Sequence, residues 1–313
     1  MPTWFPQAAG TLDDPLDAIE RRIAKLEQTG APAEERARAW LALAQAWREQ
    51  FDSTDECARA SREAAAAATD DQVALEAAAR SCSVIGRPEL AYAYAASWAE
   101  LLQNPDQKAN ALVQASVYAT RAAKDASALR ALKQAAALET DDGAIAERLA
   151  RMLLTQGDVE AALKAAREAG ARYRERSLRS ARVILAWAST LAPNDPDVAS
   201  DYASVLASEG YVEAAVAVLA RAARRARGPE IACKLFRNAA VRAELSARPD
   251  LAADLLLEAI DTLGSGDAAI NRAFLNDLTA NGDVVEAAVM AAELAQSAEG
   301  SLRAEYLVRA ADA

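Results

Sequence analysis

The 313-residue chain contains no histidine. That removes Ser-His-Asp and Cys-His nucleophile chemistry and every His-ligated metal site. Cysteine is nearly absent as well. Cys57, Cys82 and Cys233 are an odd number, widely spaced and inside helical patterns. They read as small buried hydrophobes in a reducing compartment rather than as a disulfide, redox or metal framework. Glycine and proline are scarce at 12 and 10, and aromatic residues make up 5%. No apolar run reaches the eighteen or so residues that a membrane span needs. The start, Met1-Pro-Thr-Trp-Phe-Pro6, lacks the basic and apolar regions of a secretory signal, so a cytoplasmic location is expected.

What the chain does have is alanine: 84 residues, more than a quarter of the sequence. Alanine is the best helix former and a poor strand former. An all-α fold follows. The net charge of −11 favours solubility and weighs against nucleic acid as a partner.

Internal repeats set the architecture. Gly157-Asp-Val-Glu-Ala-Ala162, Gly210-Tyr-Val-Glu-Ala-Ala215 and Gly282-Asp-Val-Val-Glu-Ala-Ala288 echo one another, each between two apolar-periodic stretches. Thr69-Asp-Asp71 recurs as Thr140-Asp-Asp142, and Arg87-Pro-Glu-Leu-Ala91 as Arg248-Pro-Asp-Leu-Ala252. Turns at Phe51, Gly86, Lys124, Gly157, Gly210, Arg248 and Gly282 are separated by 35, 38, 33, 53, 38 and 34 residues. One interval is too long by about one helix, and the separation of Arg87 from Arg248 carries the same surplus. The surplus helix is placed near 177–191.

Each unit reads as helix, tight turn, helix. Ala33–Gln50 pairs with Thr54–Ala68, Gln72–Ile85 with Pro88–Leu102, Asp106–Ala122 with Ala126–Leu138, and Gly143–Gln156 with Val159–Ala171. Beyond the surplus helix, Pro196–Glu209 pairs with Val212–Arg225, Pro229–Ser246 with Pro249–Leu263, and Ala268–Asn281 with Val284–Ser297. The acidic doublets Asp13-Asp14, Asp70-Asp71 and Asp141-Asp142 precede helices, where carboxylates cap free N–H groups. Pro88, Pro196, Pro229 and Pro249 fall in first turns, where a missing N–H costs nothing.

Trp40-x2-Leu43-Ala44-x2-Trp47 stands in a first helix, with Tyr202-Ala203-x2-Leu206 and Leu149-Ala150-x2-Leu153 looser versions of it. Second helices carry Ala91-x3-Ala95-x2-Trp98, Ala162-x3-Ala166-x2-Ala169 and Ala215-x3-Leu219-x2-Ala222. Ala181-x3-Leu185-x2-Ala188-x4-Pro193 gives the surplus helix the same second-helix pattern. From about residue 33 to 297 the chain resembles the tetratricopeptide repeat (TPR) in an alanine-rich form. The resemblance implies a right-handed α-solenoid of about seven helical hairpins. Residues 1–32 are then an N-terminal segment with a capping helix over Pro15–Gln28, and 33–173 hold four hairpins. The surplus helix takes 174–194, three hairpins take 195–298, and 299–313 begin a further helix or a C-terminal cap, as a piece of a longer protein would.

The resemblance also implies that first helices line a concave face that receives peptides or partner helices. Carried over position by position, it places Arg48, Arg80, Tyr118, Arg121, Glu147, Arg151, Arg272 and Asn276 on that face. Arg80 and Arg151 fall at the same repeat position, and arginines there suit carboxylates. The alternative is a solvated face with i,i+4 pairs such as Glu76–Arg80 and Glu147–Arg151. The lysines of the family's carboxylate-clamp variant are missing. A second candidate is a basic stretch of Lys164, Arg167, Arg172, Arg174, Arg176, Arg179 and Arg182, interrupted only by Glu168 and Glu175. It suits an acidic or phosphate-rich partner, or it is a solvated outer face. Its aromatic neighbours, Tyr173 and Trp187, are too few for a single-strand stacking platform.

No phosphate loop is present, since Gly264-Ser-Gly266 has neither the spacing nor a preceding strand. No cofactor and no catalytic residue is expected. The leading expectation is a non-catalytic scaffold for a peptide or protein partner, with self-association left open and no membrane insertion. A helical-toroid hydrolase with a carboxylate pair and a helical-repeat nucleic-acid binder are the alternatives.

Overall fold

A computed structural model describes residues 15–138, 142–263, 271–272, 275–276, 279 and 284–312. Among them there are helices and no strands. The chain divides into two compact units, Met1–Thr140 and Asp141–Ala313.

The first unit holds α1 (Pro15–Gln28), α2 (Ala33–Gln50), α3 (Thr54–Ala67), α4 (Gln72–Val84), α5 (Pro88–Leu101), α6 (Pro105–Arg121) and α7 (Asp125–Ala136). The second holds α8 (Gly143–Thr155), α9 (Val159–Arg176), α10 (Leu178–Leu191), α11 (Pro196–Ser208), α12 (Val212–Arg224), α13 (Pro229–Leu245), α14 (Pro249–Leu263), α15 (Val284–Ser297) and α16 (Gly300–Asp312). The turn at Gly264-Ser-Gly266 and the doublet Asp13-Asp14 lie outside the described residues. So does most of the helix expected over Ala268–Asn281, whose described residues 271, 272, 275, 276 and 279 are helical.

Within each unit, successive helices pack antiparallel-fashion as hairpins, and alternate helices touch at α2–α4, α9–α11 and α11–α13. The hairpin turns share one device. Gly86, Ala123, Gly157, Gly210 and Ala247 all take positive φ, between 54° and 86°. At each, the next residue's N–H reaches five residues back: Arg87 to Cys82, Lys124 to Ala119, Asp158 to Leu153, Tyr211 to Leu206 and Arg248 to Ala243, at 2.8–3.1 Å. This is the Schellman cap, which satisfies a carbonyl left without an intrahelical donor. The turn after α2 is wider, with Asp52 at φ 48° and the Ser53 N–H reaching Trp47. The expected turns at Phe51, Gly86, Lys124, Gly157, Gly210 and Arg248 are thus the left-handed caps themselves or their immediate neighbours, and Gly282 lies outside the described residues.

At the opposite ends, Asp71 accepts from the Val73 and Ala74 N–H groups and Asp142 from that of Ala144, so these carboxylates are caps. The described helices form a repeat of hairpins in this geometry.

Alanine makes most of the core. Ala78, Ala91, Ala95, Ala115, Ala162, Ala166, Ala203 and Ala215 are fully buried. A methyl group is all the side chain that closely approaching helices admit. Larger residues fill the remaining space, with Leu219, Leu235, Phe236 and Leu256 in one cluster of the second unit.

One expectation is corrected here. The helix from Val159 does not stop at Ala171 but continues to Arg176, and α10 starts at Leu178 with Ser177 as its N-cap. Gly170 sits inside α9. A Cβ there would lie 2.7 Å from Leu185 Cγ of α10, so the glycine admits a neighbouring side chain rather than ending a helix. Helix α9 packs against α8, α10 and α11. It therefore serves as the second helix of one hairpin and the first helix of the next, and the surplus helix α10 takes the second-helix place its sequence pattern indicates.

Candidate binding groove and basic face

In the first unit, three first helices turn polar faces into a common groove. Leu41, Ala44, Gln45 and Arg48 of α2 and Val73, Glu76, Ala77 and Arg80 of α4 recur at i, i+3, i+4 and i+7, one face of each helix. They line a cavity of about 300 Å³ whose floor is Cys57, Ser61 and Ser81. The Ser61 hydroxyl donates to the Cys57 carbonyl at 2.8 Å and stands 3.1 Å from the Ser81 hydroxyl. On the other side of α4, Val73, Glu76 and Arg80 also line a cavity of about 520 Å³ with Trp98, Leu102 and, from α6, Gln107, Asn110, Val113 and Gln114. Arg80 reaches Glu76 at 2.5 Å and is 62% exposed, so its guanidinium is open to a ligand. Arg48 lies 3.7 Å from Glu49 and is equally open. Glu76 is the one carboxylate lining either cavity.

Tyr118 is not on this face. It is buried beside Ala79, Cys82, Ala91, Ala95 and Ala115. The cap spacing puts Val117 at the position of Arg80, and Tyr118, one residue and about 100° further round, turns inward. Arg121 is exposed and donates to the Ser83 hydroxyl at 3.0 Å. The amides Gln45, Gln107, Asn110 and Gln114 belong to the groove and were not singled out from sequence. Their i, i+3, i+7 spacing on α6 was the available signal.

Cys82, next to Ser81, is fully buried, and burial pushes its thiol up against the opposing pull of Arg62 and Arg87. It packs as a small hydrophobe.

In the second unit the candidate arginines are mostly engaged. Glu147 accepts from Arg151 at 2.8 and 3.1 Å and from the Tyr173 hydroxyl at 2.9 Å. Arg151 also lies over the Trp187 ring, 5.6 Å from its centre. The Tyr173 ring stacks where a Cβ on Gly143 would stand, 2.9 Å away. Burial first, then the hydrogen bond and charge of Glu147, push the Tyr173 hydroxyl up to about 12. Arg272 is tied to Glu305, and Asn276 accepts from Arg309 at 2.7 Å.

The basic stretch divides in the same way. Arg167 bridges Asp197 at 3.0 Å and Asp201 at 2.7 Å on α11, and Arg172 pairs with Glu168 at 2.5 Å. Arg182 pairs with Glu209 at 3.2 Å and covers the Tyr211 ring. Lys164 and Arg174 on α9 and Arg179 on α10 remain exposed.

Among the described residues no group of three or more His, Cys, Asp or Glu is placed to hold a metal ion. No described helix is long and apolar enough to cross a membrane.

No protein-family model matches the chain, and no curated protein does. Solved structures do. The chain is similar to MamA at 16% identity and a TM-score of 0.35, over 66% of this chain and 97% of that one. It is similar to YrrB, described as a TPR protein with an unusual peptide-binding site, at 20% identity and a TM-score of 0.30, over 66% and 93%. It is also similar to PilF of Pseudomonas aeruginosa at 16% identity and a TM-score of 0.32, over 80% and 99%. The likeness is one of fold alone.

Proposed function

We propose that the protein is a non-catalytic interaction scaffold whose first unit receives an extended peptide segment of a partner protein along α2, α4 and α6. The observation that carries this reading is the pair of cavities on either side of α4, which share Val73, Glu76 and Arg80. A segment crossing both would meet Arg48 and Arg80 as partners for carboxylates, and Gln45, Asn110 and Gln114 as partners for its backbone. Exposed Val73 between them offers an apolar contact. In the second unit, Lys164, Arg174 and Arg179 form a further face for acidic segments of a partner, while Glu147, Arg151, Arg272 and Asn276 act mainly in holding helices together.

The test is binding of fluorescent peptide pools, acidic and neutral, followed by anisotropy. The acidic pool should bind, and the double variant Arg48→Gln/Arg80→Gln should weaken it about tenfold or more, as loss of charge-assisted hydrogen bonds requires. Equal binding of both pools, or full affinity in the double variant, overturns the reading.

A further inference from the structure

A different face of α6 borders a cleft with another chemistry. Residues from α5 (Tyr92, Ala96, Ala99, Glu100), α6 (Lys108, Leu112, Ala115) and α7 (Ser127, Arg130, Ala131, Gln134) line a cleft of about 460 Å³, together with Ala137 and Leu138. That volume falls within the range of small-molecule sites, roughly 300–1,000 Å³. Its floor is apolar, because Ala99, Leu112, Ala115 and Ala131 are buried and the alanines put no side chain into the space.

The rim carries the second observation. Several arginines elsewhere in the chain meet carboxylates: Arg182, Arg224 and Arg248 each pair with one, and Arg167 with two. Lys108 and Arg130 line the cleft, their side chains in no hydrogen bond or ion pair among the described residues, against the single carboxylate of Glu100. Lys124 adds a third positive charge, its ammonium 5.9 Å from the centre of the Tyr92 ring. In a chain of net charge −11, a small cavity lined by two cations and one carboxylate favours an anionic ligand. Gln107, Asn110 and Gln114 project from another side of α6, so the cleft is separate from the peptide groove.

We propose that the cleft between α5, α6 and α7 binds a small amphipathic monocarboxylate, its hydrocarbon body on the alanine floor and its carboxylate held by Lys108 and Arg130. Burial of the alkyl part supplies the driving force. The two cations supply the selection for an acid over a neutral molecule of the same shape. Tyr92, Ser127 and Gln134 add hydroxyl and amide groups at the rim.

Titration calorimetry of the whole chain with octanoate and, separately, with 1-octanol tests this. Octanoate should bind at one site, about tenfold or more tightly than 1-octanol, since a hydrogen bond to a charged group is at stake. The variant Lys108→Gln/Arg130→Gln should bring octanoate down to the level of the alcohol. Ala96→Phe and, separately, Ala137→Phe should block both ligands by filling the cleft, and Ala137 is exposed enough that its variant tests occupancy if Ala96→Phe fails to fold. The variant Arg48→Gln/Arg80→Gln should bind octanoate normally, which keeps failure of the peptide reading apart from failure of this one. Absence of saturable octanoate binding overturns the proposal. So does equal affinity for acid and alcohol, or octanoate binding that survives Ala137→Phe.

Discussion

Arg224 and Glu258 stand 34 residues apart, one repeat, and their side chains join α12 to α14 through both guanidinium and carboxylate ends. The relationship recurs. Arg167 and Asp201 are 34 apart, Glu213 and Arg248 are 35, and Arg272 and Glu305 are 33. In three of these four pairs a base meets an acid about one repeat further along, and Glu213–Arg248 has the reverse order, so the spacing of the pairs follows the fold.

These rungs are exposed, and each is expected to contribute little. A double-mutant cycle on Arg224→Gln and Glu258→Gln should return a coupling of about 0.2–1 kcal/mol, reduced further by salt. The hydrogen bond from Arg224 holds the Glu258 carboxyl below its usual range. A depressed carboxylate stabilises the fold above its unfolded pKa, near 4.3, and that contribution disappears as pH falls through the folded value. Denaturant melts should therefore show the wild-type advantage over Glu258→Gln at pH 7 and lose it in acid.

The caps make a sharper prediction. Ala123 and Ala247 hold φ of 54° and 57°, where a Cβ is strained by roughly 1–2 kcal/mol. Ala123→Gly and Ala247→Gly should each raise stability by about 0.5–1 kcal/mol, although the same change inside a helix would lower it. Gly157→Ala should do the reverse by about 1 kcal/mol. Nothing lies within 4 Å of the added methyl, so only the backbone is at issue. Chemical denaturation of the three variants checks the signs.

Gly170→Ala sets two effects against each other. Helix propensity favours alanine by about 1 kcal/mol. The new Cβ would meet Leu185 at 2.7 Å in a site where Leu185 is fully buried, and overpacking of that kind costs about 1–3 kcal/mol. Net destabilisation is expected. On a Leu185→Ala background the clash is gone, and Gly170→Ala should become neutral or stabilising. If it is stabilising in the wild-type background, the close approach of α9 and α10 is wrong.

The Tyr173 hydroxyl, pushed up to about 12, should ionise late. A phenol whose folded pKa is raised stabilises the fold below its unfolded value, near 10, and loses that contribution as pH rises from there to about 12. Absorbance titration should show a late tyrosine that Tyr173→Phe removes. The variant should lose about 1 kcal/mol at pH 7 from the missing hydrogen bond to Glu147.

The buried alanines give a last check. Ala162 and Ala203 have no exposed surface, and a leucine at either should overpack its neighbours and cost on the order of 1–3 kcal/mol. Thermal melts unchanged in both variants would contradict the helix faces assigned to α9 and α11.

The helical repeat was legible because its signals are local. Alanine content, capping aspartates and the spacing of turns act within one helix or one connection, and each is written in consecutive residues. The turns at Ala123 and Ala247, which lack the glycine signature, were marked one residue late, at Lys124 and Arg248. The groove was legible in part. Arg48 and Arg80 follow from repeat position, but the amides of α6 and the inward turn of Tyr118 depend on a register that only the neighbouring helix fixes.

Composition and spacing alone determined an all-helical chain of hairpins with one helix to spare, because propensity and capping need no distant partner. Tertiary structure decided what two glycine signals meant. Gly157 ends a helix, and Gly170 lets Leu185 in, and no local pattern separates the two. It decided as well which arginines are bound to their own chain and which stand open, since an ion pair across one repeat exists only when the hairpins have stacked.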